Sequence, residues 1–140
     1  MQSNTPEKCI VIGGISGGIG STLAASLHKQ EALLCGYARS ADKLQALEAD
    51  LPGIQTQVLD ATEPEAINAF INQTIANHGR IDAYVHAIGS ILIKPAHLTS
   101  PENWAQTLQT NLSSAFYALS AVAKHMQKQP GGGTCLFFST

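Results

Sequence analysis

Charge is what this chain has least of. Charged residues fill 13% of its 140 positions, 8 Lys and Arg against 10 Asp and Glu, for a formal net charge of −2. That supply builds no basic face for a nucleic-acid backbone, so nucleic acid is not an expected partner. Long apolar runs are also missing. No stretch approaches the roughly 20 residues a membrane-spanning helix needs, and Met1 to Lys8 lacks the apolar centre of a signal peptide. No membrane partner is expected. Cysteine is sparse: Cys9, Cys35 and Cys135 form an odd set, far apart and inside apolar runs. That pattern suits neither a disulfide framework nor a metal site, and predicts buried free thiols in a reducing cytoplasm with no metal bound. Against these shortages stands an apolar content of 44% with 12 glycines. Such a chain can bury a core, and its length suits one domain over residues 1–140.

Apolar runs alternate with helical patterns. Cys9 to Ile12 is β-branched and ends in glycines, which predicts a strand buried on both faces. Ser21 to Gln30 places Leu23, Ala24 and Leu27 at helical spacing. Leu33 to Ala38 is a second strand, and Ser40 caps a short helix carrying Leu44 and Leu47. Pro52-Gly53 leads into a third strand, Ile54 to Leu59. Thr62-Glu63-Pro64-Glu65 predicts a capping box before a helix that Gly79 stops. Ile81 to Ile88 is a fourth strand. Ser100-Pro101 opens one long helix to Gln129, with Trp104, Leu108, Leu112, Ala115 and Leu119 along a stripe expected to pack on the sheet. Thr134 to Phe138 is a fifth strand. Strand–helix alternation predicts right-handed crossovers onto a parallel sheet of order 3-2-1-4-5, an α/β doubly wound fold. Its ligand crevice falls where the order reverses, between strands 1 and 4.

Gly13 to Gly20 joins the first strand to the first helix. A glycine-rich turn at a helix N-terminus is suited to a phosphate, because the backbone can approach closely and the first amides and the helix dipole favour an anion. A P-loop is excluded, since Ile19 and Ser21 stand where its lysine would be. The GxGxxG fingerprint also fails, because Leu23 occupies its third position. The spacing that fits is Gly14-xxx-Gly18-x-Gly20.

With that loop, with His78-Gly79-Arg80-Ile81-Asp82 and Val85-His86-Ala87-Ile88-Gly89, and with Thr110-Asn111-Leu112 and Phe116 on the long helix, the chain resembles the short-chain dehydrogenase/reductase family. The resemblance runs nearly the full length and implies a Rossmann-like fold lacking the family's later strands. It departs from the pattern where Gly13 replaces a threonine, and where His86, Ala87 and Ile88 replace the first three residues of an Asn-Asn-Ala-Gly segment. It implies that Gly14, Ser16, Gly18, Ile19 and Gly20 line the diphosphate and ribose, and that Asp60 and its neighbour Ala61 receive the adenine. Ala87 and Gly89 would pass close to the nicotinamide-side ribose. At the end of strand 2 an acid would bind a ribose 2′-hydroxyl, but Arg39 and Ser40 stand there. A guanidinium suits a 2′-phosphate, so NADP(H) is expected over NAD(H).

The resemblance also implies a proton-donating Tyr-xxx-Lys pair after strand 5, a serine ending that strand and a helix asparagine. Asn111 matches the asparagine, and a plain role satisfying local backbone remains open for it. Thr140 falls where the serine is usual, and Ser139 takes the role if the register slips by one. No Tyr-xxx-Lys occurs in the 140 residues. His86 and His97 are the histidines placed to face the crevice, and Ser90 to Leu98, with Lys94 at its rim, to form a substrate wall. Three readings follow. The first is the NADP(H)-binding portion of an oxidoreductase for a small carbonyl or alcohol substrate, incomplete and inactive as it stands. The second is a non-catalytic nucleotide-binding module. The third is an interaction subunit whose long helix packs against a copy of itself, making a homo-oligomer.

Overall fold

A computed structural model describes residues 7–139. Five parallel strands, β1 (Cys9–Gly13), β2 (Leu33–Ala38), β3 (Gln55–Val58), β4 (Ala83–His86) and β5 (Thr134–Phe137), form one sheet in the order β3-β2-β1-β4-β5. Between them run α1 (Gly18–His28), α2 (Ala41–Asp50), α3 (Pro64–His78), α4 (Pro101–Leu108) and α5 (Ser114–Met126).

Alternation along β1 divides the core. Cys9 and Val11 face one side, where Ile67, Phe70 and Ile71 of α3 and Ala118 and Val122 of α5 cover them. Ile12 faces the other side with Leu34, Ala24 of α1 and Leu44 and Leu47 of α2. Both faces of a crossover-linked parallel sheet must be covered, and the near-continuous apolar strands supply the surface. Cys9 and Cys35 are buried free thiols, while Cys135 is only half-buried. Ser40 caps α2 through a bond from the Lys43 amide, and Ser100 caps α4 through one from Asn103. Gly79 ends α3 at φ 79°.

Three expectations are corrected. The capping box at Thr62 does not form: Glu63 is the N-cap without a side-chain bond, and the Thr62 hydroxyl instead donates to Asp60 Oδ1 at 2.8 Å. Asp60 competes successfully for Thr62 because it lies only two residues away, in an Asx turn.

The single long helix is interrupted. Residues Gln109–Ser113 form a π turn between α4 and α5, in which the Ser114 amide donates to the Gln109 carbonyl.

The apolar stripe does not pack on the sheet. Trp104, Leu112 and Phe116 are 62–64% exposed, with Leu108 and Leu119 also exposed. The inner face of α5 is Ser114, Ala118, Ala121, Val122 and Met126. Small residues there let the helix lie close to the sheet. The stripe faces outward on both sides of the π turn: α4, before it, buries none of its residues, and α5, after it, turns Ser114, Ala118 and Ala121 to the sheet instead.

Candidate functional site

At the carboxyl ends of β1, β2 and β4 the chain leaves a crevice of about 270 Å³. The glycine loop forms one lip. The Gly14 amide donates to the Tyr37 carbonyl at 2.9 Å, and the Gly17 amide turns back to the Gly14 carbonyl at 3.0 Å. Gly14 sits at φ 79°, and a Cβ there would lie 2.6 Å from the Ala87 carbonyl oxygen. A Cβ on Gly20 would collide with the Gly14 carbonyl. Both glycines are therefore required by the turn itself. Gly18 differs: a Cβ there meets nothing within 4 Å. The opening turn of α1 is thus unobstructed at Gly18, and a helix N-terminus of this kind suits a phosphate.

Most of the residues expected to bind a cofactor converge on this crevice. Gly14, Ser16, Arg39, Ser40, Asp60, Ala61, Ala87 and Gly89 line it. Among the described residues, its wall does not include Gly18, Ile19 or Gly20, which occupy the first turn of α1 beside it. The Asp60 carboxyl is held below its ordinary range first by the Thr62 amide, then by the Thr62 hydroxyl, and to a lesser degree by Arg39. Both Thr62 bonds go to Oδ1. Asp60 is thereby fixed as an anionic acceptor at the crevice edge.

Sequence reasoning missed Tyr37, Lys43, Thr62, Thr110 and Ser114, which also line the cavity. Lys43 was accessible to it, since Ser40 as a cap places residue 43 in the first turn of α2. Thr110 and Ser114 required knowledge of the π turn. Tyr37 and Ser114 form the floor without exposing surface of their own.

Asn111 lies beside Gly89, where an added Cβ would stand 3.2 Å from its Oδ1. Its Oδ1 accepts from the Ser90 amide at 2.7 Å, and its Nδ2 donates to the carbonyls of Ser90 and Thr107, both at 3.0 Å. Its side chain therefore fastens the π turn to the loop after β4. Ser139 lies exposed, two residues beyond the β5 residue Phe137 that pairs with His86. Thr140 lies outside the described residues.

The histidine candidates are corrected. His86 is 4% exposed and packed inside, not facing the crevice. Its Nδ1 lies 2.8 Å from the Tyr84 hydroxyl and its Nε2 3.2 Å from Ser114 Oγ. Burial takes its pKa down from 6.5 to about 4, so the ring is neutral at physiological pH. His97 sits exposed in a short turn, Ala96–Leu98. The Lys94 ammonium donates to Asn103 Oδ1 of α4 at 3.0 Å, which ties the loop after β4 to that helix.

The family model for the short chain dehydrogenases matches residues 8–139. The 3-oxoacyl-(acyl-carrier-protein) reductase of Escherichia coli (strain K12) is 30% identical over 131 residues, which cover 92% of this chain and 53% of that protein. The D-threitol dehydrogenase of Mycolicibacterium smegmatis is 30% identical over 129 residues, 89% of this chain and 50% of its own. Among solved structures, ElxO with NADP bound superposes with a TM-score of 0.87 at 26% identity, covering 96% of this chain and 56% of that one. A short-chain type dehydrogenase/reductase from Mycobacterium ulcerans gives 0.86 at 28% identity, covering 95% and 51%. The chain spans about half the length of the curated relatives it matches.

Proposed function

The chain belongs to the short-chain dehydrogenase family, and from that premise we propose that it is the NADP(H)-binding portion of an oxidoreductase acting on a carbonyl or alcohol substrate in the cytoplasm. The observation that carries the cofactor choice is the wall beyond β2. Arg39, Ser40 and Lys43 line the crevice there, and Ala38 ends the strand where an acid would select a ribose 2′-hydroxyl. A guanidinium and an ammonium favour a 2′-phosphate, the first through bidentate, charge-assisted bonds.

When bound, the dinucleotide supplies the hydride. The chain's own groups bind and orient it. The opening turn of α1 receives the diphosphate, Asp60 accepts from the adenine amino group, and Gly14 and Gly89 keep side chains out of its path. The Tyr-xxx-Lys pair that would donate the proton for a developing alkoxide does not occur in the 140 residues. Binding and orienting the dinucleotide is the part of the reaction these 140 residues provide for. That same observation favours a second reading, a non-catalytic nucleotide-binding module.

Comparing dissociation constants for NADPH and NADH tests the cofactor choice. NADPH binds more tightly, and Arg39→Ala lowers the preference by roughly tenfold or more, the scale of a lost charged hydrogen bond. Tighter NADH binding overturns the choice, and no binding of either overturns the dinucleotide reading. Any oxidation of NADPH coupled to a carbonyl by this chain overturns the non-catalytic reading.

We further propose that the exposed face of α4, the π turn and α5 packs against a second copy of the chain. Trp104, Leu108, Leu112 and Phe116 give this face an apolar surface larger than scattered exposed side chains provide.

A further inference from the structure

Under the crevice floor runs a buried chain of polar groups that the binding of a dinucleotide does not use. The hydroxyls of Tyr37 and Tyr84 are 2.7 Å apart, Tyr84 meets His86 Nδ1 at 2.8 Å, and His86 Nε2 meets Ser114 Oγ at 3.2 Å. Ser114 Oγ then donates to the Thr110 carbonyl at 2.5 Å. The chain links β2, β4 and the first residue of α5 to the π turn.

Proton counting fixes its direction. The Ser114 hydroxyl has one proton, and the short contact to a carbonyl oxygen uses it. His86 Nε2 must therefore carry the proton of the His86–Ser114 bond and donate it to Ser114 Oγ. A neutral imidazole has a single N–H, so Nδ1 is the acceptor and the Tyr84 hydroxyl donates to it. Tyr84 then accepts from Tyr37. Every proton points from Tyr37 towards Thr110, and among the described residues no buried side-chain polar atom lacks a partner. Reversing one member would leave two donors or two lone pairs facing each other in a dry site.

At its far end the chain meets the carbonyl that the π turn leaves without a helical amide. In an α-helix the Ser114 amide would take the Thr110 carbonyl; here it takes Gln109 instead. The Ser114 hydroxyl replaces the lost donor. The next residue after Thr110 is Asn111, whose side chain fastens the turn to Ser90.

We propose that His86 is a positioning residue: through Ser114 its Nε2–H locks the π turn and so holds Asn111 against Ser90 at the mouth of the crevice. The proposal rests on the dinucleotide reading only for its consequence in cofactor binding. The clamp itself belongs to this chain, because His86 stands where the family's pattern has an asparagine.

Native-state hydrogen exchange at the Ser90 amide, with the Val11 amide as the reporter of global opening, tests it in the full chain. His86→Phe keeps ring volume and removes both nitrogens, and it should lower Ser90 protection about tenfold relative to Val11, the scale of one lost hydrogen bond. His86→Asn reaches only the Tyr84 side and should fail in the same way. His86→Gln places an amide donor near the Nε2 position and should restore most of the protection. Adding Ser114→Ala to His86→Phe should lower Ser90 protection further, because it also removes the hydroxyl's own bond to the Thr110 carbonyl. Ser90 protection that stays within about twofold of wild type in His86→Phe, or that falls only in step with Val11, overturns the proposal. So does a ring-nitrogen spectrum of the wild-type chain showing the Nδ1–H tautomer, a reading that needs no variant to fold. NADPH affinity should weaken in His86→Phe and recover in His86→Gln. If the wild type binds no NADPH, the dinucleotide reading fails while the Ser90 measurement still decides the clamp.

Discussion

The hydroxyl of Tyr37 lies 2.7 Å from that of Tyr84, and the pair ends directly beneath Gly13. A Cβ on Gly13 would stand 2.6 Å from one hydroxyl and 2.7 Å from the other. The missing threonine at the start of the glycine loop thus has a physical counterpart. Its space is filled from below by two fully buried tyrosines. Burial pushes both phenols above their ordinary range, so they remain protonated donors.

That relationship predicts a strong penalty for restoring the family's side chain. Gly13→Thr should destabilise the chain by about 1–3 kcal/mol, the usual cost of overpacking a dense site. In a Tyr37→Phe, Tyr84→Phe background the added penalty should shrink, since the obstructing oxygens are gone. Urea unfolding of the four combinations measures the coupling. Equal penalties in both backgrounds would show that the hydroxyls are not the obstacle.

His86 gives the stability a defined pH dependence. Above pH 6.5 the ring is neutral folded and unfolded. Between 6.5 and about 4 only the unfolded chain takes the proton, so stability falls as pH drops. Below about 4 both states are protonated and this contribution levels off. The full loss is on the order of 3 kcal/mol, the fall from 6.5 to about 4 taken at 1.36 kcal/mol per tenfold change in proton affinity. Asp60, with its lowered pKa, adds a loss of the same sign at more acid pH. His86→Gln cannot titrate, and its stability curve should be flatter over pH 6.5 to 4. Parallel curves for the variant and the wild type would remove His86 as the source.

Legibility in the sequence followed the reach of each interaction. Strand order was readable because the runs Cys9 to Ile12 and Leu33 to Ala38 alternate with helical patterns, and crossover handedness leaves few arrangements. Gly14 and Gly20 were readable because tight turns need particular residues at fixed spacing. The exposed stripe was not. Its period is correct for a helix, but period alone does not say which face meets the sheet, and here the small residues Ser114, Ala118 and Ala121 do. The donor that replaces the Thr110 carbonyl's α-helical partner is held by His86, 28 positions away from Ser114. His86 was misplaced for the same reason. A histidine ending a strand at a crevice resembles a proton donor until Tyr84 and Ser114 are seen on its two nitrogens.

The outward stripe predicts self-association. Wild-type chain should sediment as a dimer, and Trp104→Glu or Phe116→Glu should give a monomer. Both side chains are more than 60% exposed in the single chain, so neither change should alter the monomer's stability by more than about 0.5 kcal/mol. Wild-type protein that stays monomeric at high concentration sinks the prediction.

Gly18 and Gly20 separate what the loop needs in order to fold from what it needs in order to bind. A Cβ on Gly20 meets the Gly14 carbonyl, so Gly20→Ala must move the turn. It should lose about 1–3 kcal/mol of stability and its NADPH binding together. A Cβ on Gly18 meets nothing within 4 Å. Alanine is also the better helix former, by about 0.8–1.0 kcal/mol at an interior site and less at this first position. Gly18→Ala should therefore fold as well as the wild type or slightly better. If a diphosphate lies on the opening turn of α1, the new methyl occupies space the ligand needs, and affinity should fall at least tenfold, a loss of about 1.4 kcal/mol. Titration of NADPH against both variants, beside their urea midpoints, gives the answer. Unchanged affinity in Gly18→Ala would place the diphosphate away from that turn.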